Sequence, residues 1–243
     1  VLAEVAAARV DLVVCGGDVV LGPMPKESLQ AVRSLGERVA FVRGNADREV
    51  ADAAPREAGG DVWARRAHWC AERLEREEIA FLAGLPPTVT VTVEPLGDVV
   101  FCHGTPRSDE EIVTVVTPEA RLCSLLADVR ADVVVAGHTH TQLDRAAGAV
   151  RFVNAGSVGM PYEREPGAYW ALLGPPVDLR RTPYDTEAAA ERIGATGYPE
   201  ADELARENVL SVPSPDEAAP FFERMADERA GAAESGQAAN SEK

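Results

Sequence analysis

The chain has 243 residues, 46% of them hydrophobic and 26% charged, which is ordinary for a folded protein with a sizeable core. Its formal net charge of −16 repels phosphate backbones and argues against extended nucleic-acid binding, although metal cations could still attract a small phosphorylated substrate. The apolar runs are too short to span a bilayer and no signal peptide is visible, so we expect a cytoplasmic protein with no membrane partner. The four cysteines form no CxxC pair and are predicted to be reduced.

Hydrophobic periodicity predicts alternating helices and strands, beginning with an uncapped helical segment. In chain order we predict a helix at 1–9, a strand at 11–15, a helix at 25–35, a strand at 39–43, a helical stretch at 61–84 with a break near 75–77, strands at 88–93 and 98–102, a helix at 118–129, and strands at 132–136, 149–153, 168–173 and 177–182. The first half is therefore α/β-like and the later part is a β-rich meander. This order predicts an α/β sandwich of two sheets with outer helices.

The composition changes after residue 185. Residues 187–225 are rich in Ala and Glu with scattered Pro, which predicts short helices packed on the body or a loosely held appendage. The last stretch is small and polar, and we predict that it is disordered. The predicted organisation is a domain over 1–185, a helical appendage over 186–229 and a disordered tail over 230–243.

Polar side chains follow four of the predicted strands, each next to a glycine. Asp18, Asn45 and His103 follow three of these strands, and the fourth ends in a histidine pair, His138 and His140. Only four histidines occur in the whole chain, so two in one tetrapeptide call for a reason. Because ligand sites collect at the carboxyl ends of strands in α/β folds, we expect these side chains to converge on one crevice.

One carboxylate, one amide and three imidazoles form a mixed oxygen and nitrogen ligand set. Such a set suits Mn, Fe, Ni, Co or Zn and fits Ca or Mg poorly. A carboxylate can bridge two cations, and two cations about 3.5–4 Å apart can clamp a phosphoryl group for in-line attack. The sequence therefore predicts a metal site suited to a phosphorylated substrate.

These motifs, in this order, resemble the calcineurin-like metallophosphoesterases, and in particular the small bacterial branch that includes the YfcE-like phosphodiesterases. The resemblance covers roughly residues 1–182 and implies a four-layer α/β/β/α sandwich of two mixed sheets. The matching segments are Gly17-Asp18-Val19-Val20-Leu21-Gly22, Gly44-Asn45, His103-Gly104, Gly137-His138-Thr139-His140 and the turn Asn154-Ala155-Gly156-Ser157-Val158-Gly159.

The resemblance implies two divalent metal ions, with Mn²⁺ the first candidate, and a metal-bridging hydroxide that attacks phosphorus. Asp18 would bridge both metals; Asn45, His103 and His138 would complete the second metal, and His140 would bind the first. Among these, Asp18, Asn45 and His103 are the predicted catalytic residues. The family takes the other ligands of the first metal from an Asp-x-His motif, which the resemblance places upstream of this sequence. We expect truncation here, with natural loss of the motif as the alternative.

Several flanking residues have weaker predicted roles. Arg43 and Arg107 are candidate binders of substrate phosphate, and Arg48 is a lesser one. Asp47 is expected to order its loop or a metal ligand, and His68 is expected to be structural.

The residue after Asn45 distinguishes diester from monoester hydrolysis. Many family members have a histidine there that assists the leaving group, whereas this chain has Ala46; members of the small bacterial branch that it resembles also lack that histidine. We therefore expect a small phosphodiester as substrate, with a phosphomonoester as the alternative. A different class also stays open: a non-catalytic scaffold on the same fold, as in the retromer subunit. The sequence leaves open whether the chain forms a homo-oligomer.

Overall fold

A computed structural model of the chain describes residues 1–55 and 60–241, with side chains described as far as residue 231. The helices are α1 Leu2–Ala7, α2 Pro25–Arg33, α3 Asn45–Ala53, α4 Val62–Ala71, α5 Arg76–Ala83, α6 Glu119–Leu125, α7 Thr186–Gly194, α8 Ala201–Ala205 and α9 Pro215–Ser241. The strands are β1 Val13–Cys15, β2 Val39–Phe41, β3 Thr88–Val93, β4 Gly97–Cys102, β5 Val133–Ala136, β6 Leu143–Ala147, β7 Val150–Asn154, β8 Ala168–Leu172 and β9 Asp178–Thr182. A 3₁₀ turn, Gly36–Arg38, precedes β2, and a π turn, Arg206–Leu210, follows α8.

Two elements differ from the sequence prediction. Helix α3 begins directly at Asn45, where the sequence indicates only a polar motif after a strand. Its first turn is fixed by the Asp47 carboxylate, which accepts a hydrogen bond from the Gly44 N–H in the manner of a capping box. Strand β6 was also not predicted, because its sequence LDRAA lacks β-branched and aromatic residues; antiparallel pairing with β7 forms it instead.

The described strands form one five-stranded sheet and two strand pairs. The five-stranded sheet has the order β3-β4-β5-β7-β6, with a parallel centre and antiparallel edges. Strands β1 and β2 pair in parallel, and β8 and β9 pair antiparallel. The sequence predicts two sheets, whereas the hydrogen bonds of the described strands form three: one sheet of five strands and two strand pairs.

The alternation along β5 shows how the layers stack. Val134 and Ala136 pack with α6 on one face of the five-stranded sheet. Val133 and Val135 face the other way, into a core shared with residues of both strand pairs. A third core contains residues of helices α2 to α5. The layers therefore follow in the order helix α6, five-stranded sheet, the two strand pairs, and helices α2 to α5. The predicted mixed α/β sandwich is confirmed.

The C-terminal segments are helical and packed. Ile193, Tyr198, Ala201 and Val209 are buried in the same core as residues of α2 to α5. Helix α9 is described as far as Ser241, across part of the stretch for which the sequence predicts disorder; this part is rich in Ala, which favours helix. Residues 242–243 lie outside the described residues. The division into a domain and an appendage stays a prediction.

Among the described residues, no helix combines the length and apolar character needed to cross a membrane.

Candidate metal centre

The polar motifs meet because two glycine turns pack against each other. Gly17 has a φ of +97°, and a Cβ on it would lie 2.6 Å from Gly44 N and 2.8 Å from His103 Nδ1. A Cβ on Gly44 would in turn overlap the Asp18 carboxylate. Only glycine permits this close approach, which brings the loop after β1 against the start of α3.

Three of the predicted ligands have left-handed backbone conformations. The φ values are +56° for Asp18, +62° for His138 and +58° for His140. Side chains other than glycine rarely adopt this region, and such residues cluster at functional sites. The strain identifies the same loops that the sequence motifs identify.

Asp18, His103 and His138 form a compact cluster at the carboxyl ends of β1, β4 and β5. Their ligand atoms lie within 4.8 Å of one another. His103 Nε2 is 3.1 Å from Asp18 Oδ2 and 3.2 Å from His138 Nδ1. On the other side of its ring, His103 Nδ1 is 2.8 Å from the carbonyl oxygen of Gly16. A carbonyl can only accept, so Nδ1 carries a proton, and when the ring is neutral Nε2 is the nitrogen that can bind a metal.

Burial and neighbouring charges set the protonation of this cluster. Burial alone would raise the pKa of Asp18, but His103, His140 and the N–H of Ala46 together hold it below its ordinary value. Burial alone would lower the pKa of His103, but Asp18 and the Gly16 carbonyl raise it. Burial, followed by the charge of His103, lowers the pKa of His138 to about 3. A neutral His138 beside an ionised Asp18 is the protonation state that binds a cation.

Asn45 supplies an amide whose orientation is fixed by a residue that the sequence analysis missed. Its Nδ2 is 3.1 Å from Glu49 Oε1 and donates to it. That contact leaves Oδ1, the atom that can bind a metal, buried and without a hydrogen-bond partner among the described residues. Glu49 stands four residues after Asn45 on α3, so the i, i+4 spacing is the signal that could have identified it once the helix was known.

Unpartnered buried atoms provide a direct test of whether a metal fits this site. Besides Asn45 Oδ1, the atoms His138 Nε2 and His140 Nδ1 are buried with no hydrogen-bond partner in the described part of the chain. Buried polar atoms normally have partners, and each exception calls for an explanation such as an ion. Together with the ionised Asp18, these donors match the mixed oxygen and nitrogen set predicted for a transition metal. The residues present therefore fit a bound divalent cation.

His140 lies beside the compact cluster and is not part of it. Its charge interacts with that of Asp18, but its ring contacts the backbone of Met160 and stacks on Tyr162, with ring centroids 5.2 Å apart. Burial is the main cause that lowers the pKa of His140 to about 4. The histidine pair therefore splits, with His138 in the cluster and His140 at its margin.

Asp47 orders the two loops, as the sequence analysis predicts. Its side chain is fully buried, and its carboxylate accepts hydrogen bonds from the backbone N–H groups of Asp18, Val19 and Gly44 at 2.8, 2.9 and 3.0 Å. Burial is the main cause that raises the pKa of Asp47 to about 6. One side chain thus ties the loop after β1 to the N-terminus of α3.

Asn154 fixes the loop that carries the histidine pair. Its Nδ2 donates to the carbonyl of Gly137 and to Thr139 Oγ1, and its Oδ1 accepts from the N–H of Gly156. Thr139 Oγ1 also donates to the carbonyl of Val113 at 2.8 Å. The turn at residues 154–159, noted in the sequence only as part of the resemblance, therefore supports the loop of His138 and His140.

The three candidate arginines all pair with carboxylates, and their predicted contact with a substrate stays a prediction. Arg107 is more than half exposed, pairs with Glu111 at 2.7 Å and is not among the residues that line the cavity beside the cluster. Arg43 also lies outside that lining, with Nε 3.7 Å from Asp109. Arg48, the lesser candidate, does line the cavity, although Asp109 and Glu110 hold it at 3.1 and 2.6 Å.

His68 is outside the cluster, as expected. It lies on α4, where its Nε2 is 3.4 Å from Glu72 Oε1, one helical turn away. Its ring belongs to the wall of the same large cavity.

That cavity is large and extends away from the cluster. Its volume is about 2240 Å³, which exceeds the roughly 300–1,000 Å³ of most small-molecule sites. One part of its lining holds Asp18, His138 and His140, and another part follows β1 and β8. In the described sheets these two strands each pair with one neighbour only.

Comparison with solved structures finds several similar chains. The structure is similar to that of a hypothetical protein, PH1004, from Pyrococcus horikoshii, with a TM-score of 0.74, 18% identity and coverage of 87% of this chain and 92% of that chain. It is also similar to a metallophosphoesterase from Sphaerobacter thermophilus, with a TM-score of 0.66, 22% identity and coverage of 86% and 91%. YfcE, a phosphoesterase from E. coli, aligns with a TM-score of 0.41, 20% identity and coverage of 70% and 76%.

A comparison with curated proteins finds no significant match. A family model, by contrast, matches residues 1–173, which is most of the chain and includes all five predicted metal ligands. This match confirms the resemblance drawn from the motifs: the chain belongs to the calcineurin-like phosphoesterase superfamily.

Proposed function

We propose that this protein is a dimetal-dependent phosphoesterase that hydrolyses a small phosphodiester. The observation that carries the proposal is the convergence of Asp18, His103 and His138 within 4.8 Å in a chain of the calcineurin-like superfamily. Asn45, with a buried and unpartnered Oδ1 among the described residues, and His140 extend this donor set. We propose Mn²⁺ as the first candidate metal, with Fe, Ni, Co and Zn as alternatives.

The chain's own residues perform three tasks in this proposal. Divalent cations held there would lower the pKa of a bound water and neutralise phosphoryl charge. Asp18 supplies the negative charge that holds them, and the Gly16 carbonyl keeps the His103 ring in the tautomer that presents Nε2. Arg48 lines the same cavity, so we propose that it binds the substrate phosphate in competition with Asp109 and Glu110. The roles of Arg43 and Arg107 stay predictions.

Ala46 supports a diester over a monoester. Its side chain has no proton to give, and its N–H donates to Asp18 Oδ1 at 2.9 Å, so this position does not assist a leaving group. A substrate with a good leaving group, whether monoester or diester, suits such a site, and we base the diester preference on the resemblance to YfcE-like members, which also lack a histidine here. The cytoplasmic location and the lack of nucleic-acid and membrane partners stay predictions from composition.

The test is metal-stimulated hydrolysis by the full-length natural protein. We expect Mn²⁺ to stimulate cleavage of bis(p-nitrophenyl) phosphate, with slower cleavage of p-nitrophenyl phosphate. Asp18→Asn should lower kcat/KM by at least about 100-fold, since even residues behind the metal ligands contribute about 10–100-fold in metal sites.

Asp144→Asn is the matched control. Asp144 pairs with Arg151 between β6 and β7, outside the cavity lining, and its substitution should leave the rate unchanged. The absence of metal-stimulated cleavage of either ester would contradict the proposal and favour the scaffold alternative. Faster cleavage of the monoester would contradict only the diester preference.

A further inference from the structure

Helix α9 contributes one wall of the cavity beside the metal cluster. Phe221, Phe222, Met225 and Arg229 all line the cavity that contains Asp18, His138 and His140. Positions separated by three or four residues lie on the same side of a helix, so these four side chains form one face. The sequence analysis assigned no role to this segment.

Aromatic rings connect this face to His140, at the margin of the metal cluster. The His140 ring stacks on Tyr162, and the Tyr162 and Phe222 ring centroids are 5.7 Å apart. The Phe222 and Phe221 centroids are also 5.7 Å apart. Phe221, at the end of this series, is 53% exposed and faces a cavity instead of a core.

The wall is held in place by polar contacts of Glu223 and Arg229 on α9. Glu223 Oε1 accepts a hydrogen bond from Thr114 at 2.6 Å and another from Thr117, and its Oε2 pairs with Arg121 at 2.8 Å. One turn and a half later, Arg229 donates to the carbonyl of Glu110 at 2.7 Å. Because the helix is anchored at two points, Phe221 and Phe222 are positioned before any ligand arrives.

A second exposed apolar side chain lines the same cavity. Val158 is 52% exposed and lies in the turn that follows Asn154, next to the loop of the histidine pair. The cavity therefore has the mixture typical of a small-molecule site, with apolar surface around a few polar groups. Its polar groups include those of the metal cluster, Arg48 and Arg229.

We propose that the α9 face of Phe221, Phe222 and Met225 binds the organic group of the phosphoester substrate, and that this group is aromatic. The proposal rests on the proposed function and specifies its substrate class. An aromatic ring gains from edge or offset contacts with the two phenylalanines while its phosphate reaches the cluster of Asp18, His103 and His138. A purely polar ester would make no apolar contact with the exposed part of Phe221.

Two phosphonates that differ only in the organic group serve as probes, because they bind without being hydrolysed. The measurement is equilibrium binding to the natural protein with Mn²⁺, by calorimetry. We expect phenylphosphonate to bind about tenfold more tightly than methylphosphonate, from aromatic contacts and apolar burial. Phe221→Ala should reduce this preference to about threefold or less and leave methylphosphonate affinity unchanged. Phe221 is largely exposed, so the variant is expected to fold.

Leu210→Ala is the matched control, since Leu210 is 41% exposed and outside the cavity lining. It should keep the full preference for phenylphosphonate. Equal binding of the two phosphonates by the unmodified protein, or an unchanged preference in Phe221→Ala, would overturn the α9 subsite alone. Failure of both phosphonates to bind would overturn the phosphoester site and the subsite together. Hydrolysis of p-nitrophenyl esters of the same two acids provides a parallel rate measurement.

Discussion

The two histidines of the Gly137–His140 loop have different surroundings although one residue separates them. His138 faces His103 and Asp18, and the His103 ring is in turn fixed by the Gly16 carbonyl. His140 instead has the backbone of Met160 and the ring of Tyr162 as its nearest partners. One side of the site is thus a set of donors that already face one another, and the other is a single imidazole against an aromatic ring.

The difference shows that the side chains that can bind a metal are held in position by hydrogen bonds from other residues. Asp47 ties the Asp18 loop to α3, Glu49 orients the Asn45 amide, and Asn154 supports the histidine loop. On the His138 side these contacts bring three donor atoms within 4.8 Å. We therefore expect metal affinity to depend more on that side, and the following variants test this asymmetry.

Asp47→Ala should have the largest effect, because it removes the link that organises the His138 side. The substitution leaves the N–H groups of Asp18, Val19 and Gly44 without their acceptor in a buried position. Since one buried unsatisfied group costs about 1–3 kcal/mol, we expect a loss of roughly 3 kcal/mol or more in unfolding free energy. Urea denaturation of the metal-free protein measures it.

Asp52→Ala is the control for this prediction. Asp52 is exposed on the same helix, and its loss should change the unfolding free energy by no more than about 0.5 kcal/mol. If the two variants lose equal stability, Asp47 does not organise the loops.

His138→Gln and His140→Gln test the asymmetry itself. We expect His138→Gln to weaken Mn²⁺ binding by at least about 100-fold and His140→Gln by about tenfold or less, because only His138 belongs to the compact donor set. Titration of Mn²⁺ into each purified variant, monitored by calorimetry, gives both affinities. Equal losses would mean that the two imidazoles bind as one unit, and the comparison above would then be wrong.

The strand-end rule explains why much of this site could be predicted. Asp18, His103 and His138 each follow an apolar strand, and parallel β4 and β5 bring His103 and His138 to one edge. The family followed from the same motifs, and the mixed α/β fold followed from the order of strands and helices. These features depend on short segments whose pattern is visible along the chain.

The features that the sequence did not predict depend on contacts between distant segments. Arg107 and Arg48 are both near a motif, but only the structure shows that Glu111 captures the first while the second lines the cavity. The α9 wall comes from residues 221–229, about 80 positions after the histidine pair, and nothing in its local pattern indicates a neighbour. Helix α3 was missed because its start coincides with the Gly44-Asn45 motif, which is typical of a turn.

The smallest expected effect is on the pH dependence of the unfolding free energy, to which His140 contributes. The pKa of His140 is about 4 in the folded protein, below the value of about 6.5 for an unperturbed histidine. The unfolded chain therefore takes up this proton at a higher pH than the folded chain, so His140 lowers stability as the pH falls from about 6.5 toward 4. His140→Gln cannot take up the proton, and its unfolding free energy should fall less over this range.

The difference between the two proteins should amount to about 2 kcal/mol between pH 6.5 and pH 4.5, since each unit of pKa shift corresponds to about 1.4 kcal/mol. Chemical denaturation in the presence of a chelator, at several pH values, measures it. Any constant cost of the glutamine appears at every pH and does not affect the slope, and the shift of Asp47 is common to both proteins. If the unfolding free energies of the two proteins change with pH in parallel, the His140 ring is open to solvent. It would then not be buried against Tyr162, and the contrast with His138 would be wrong.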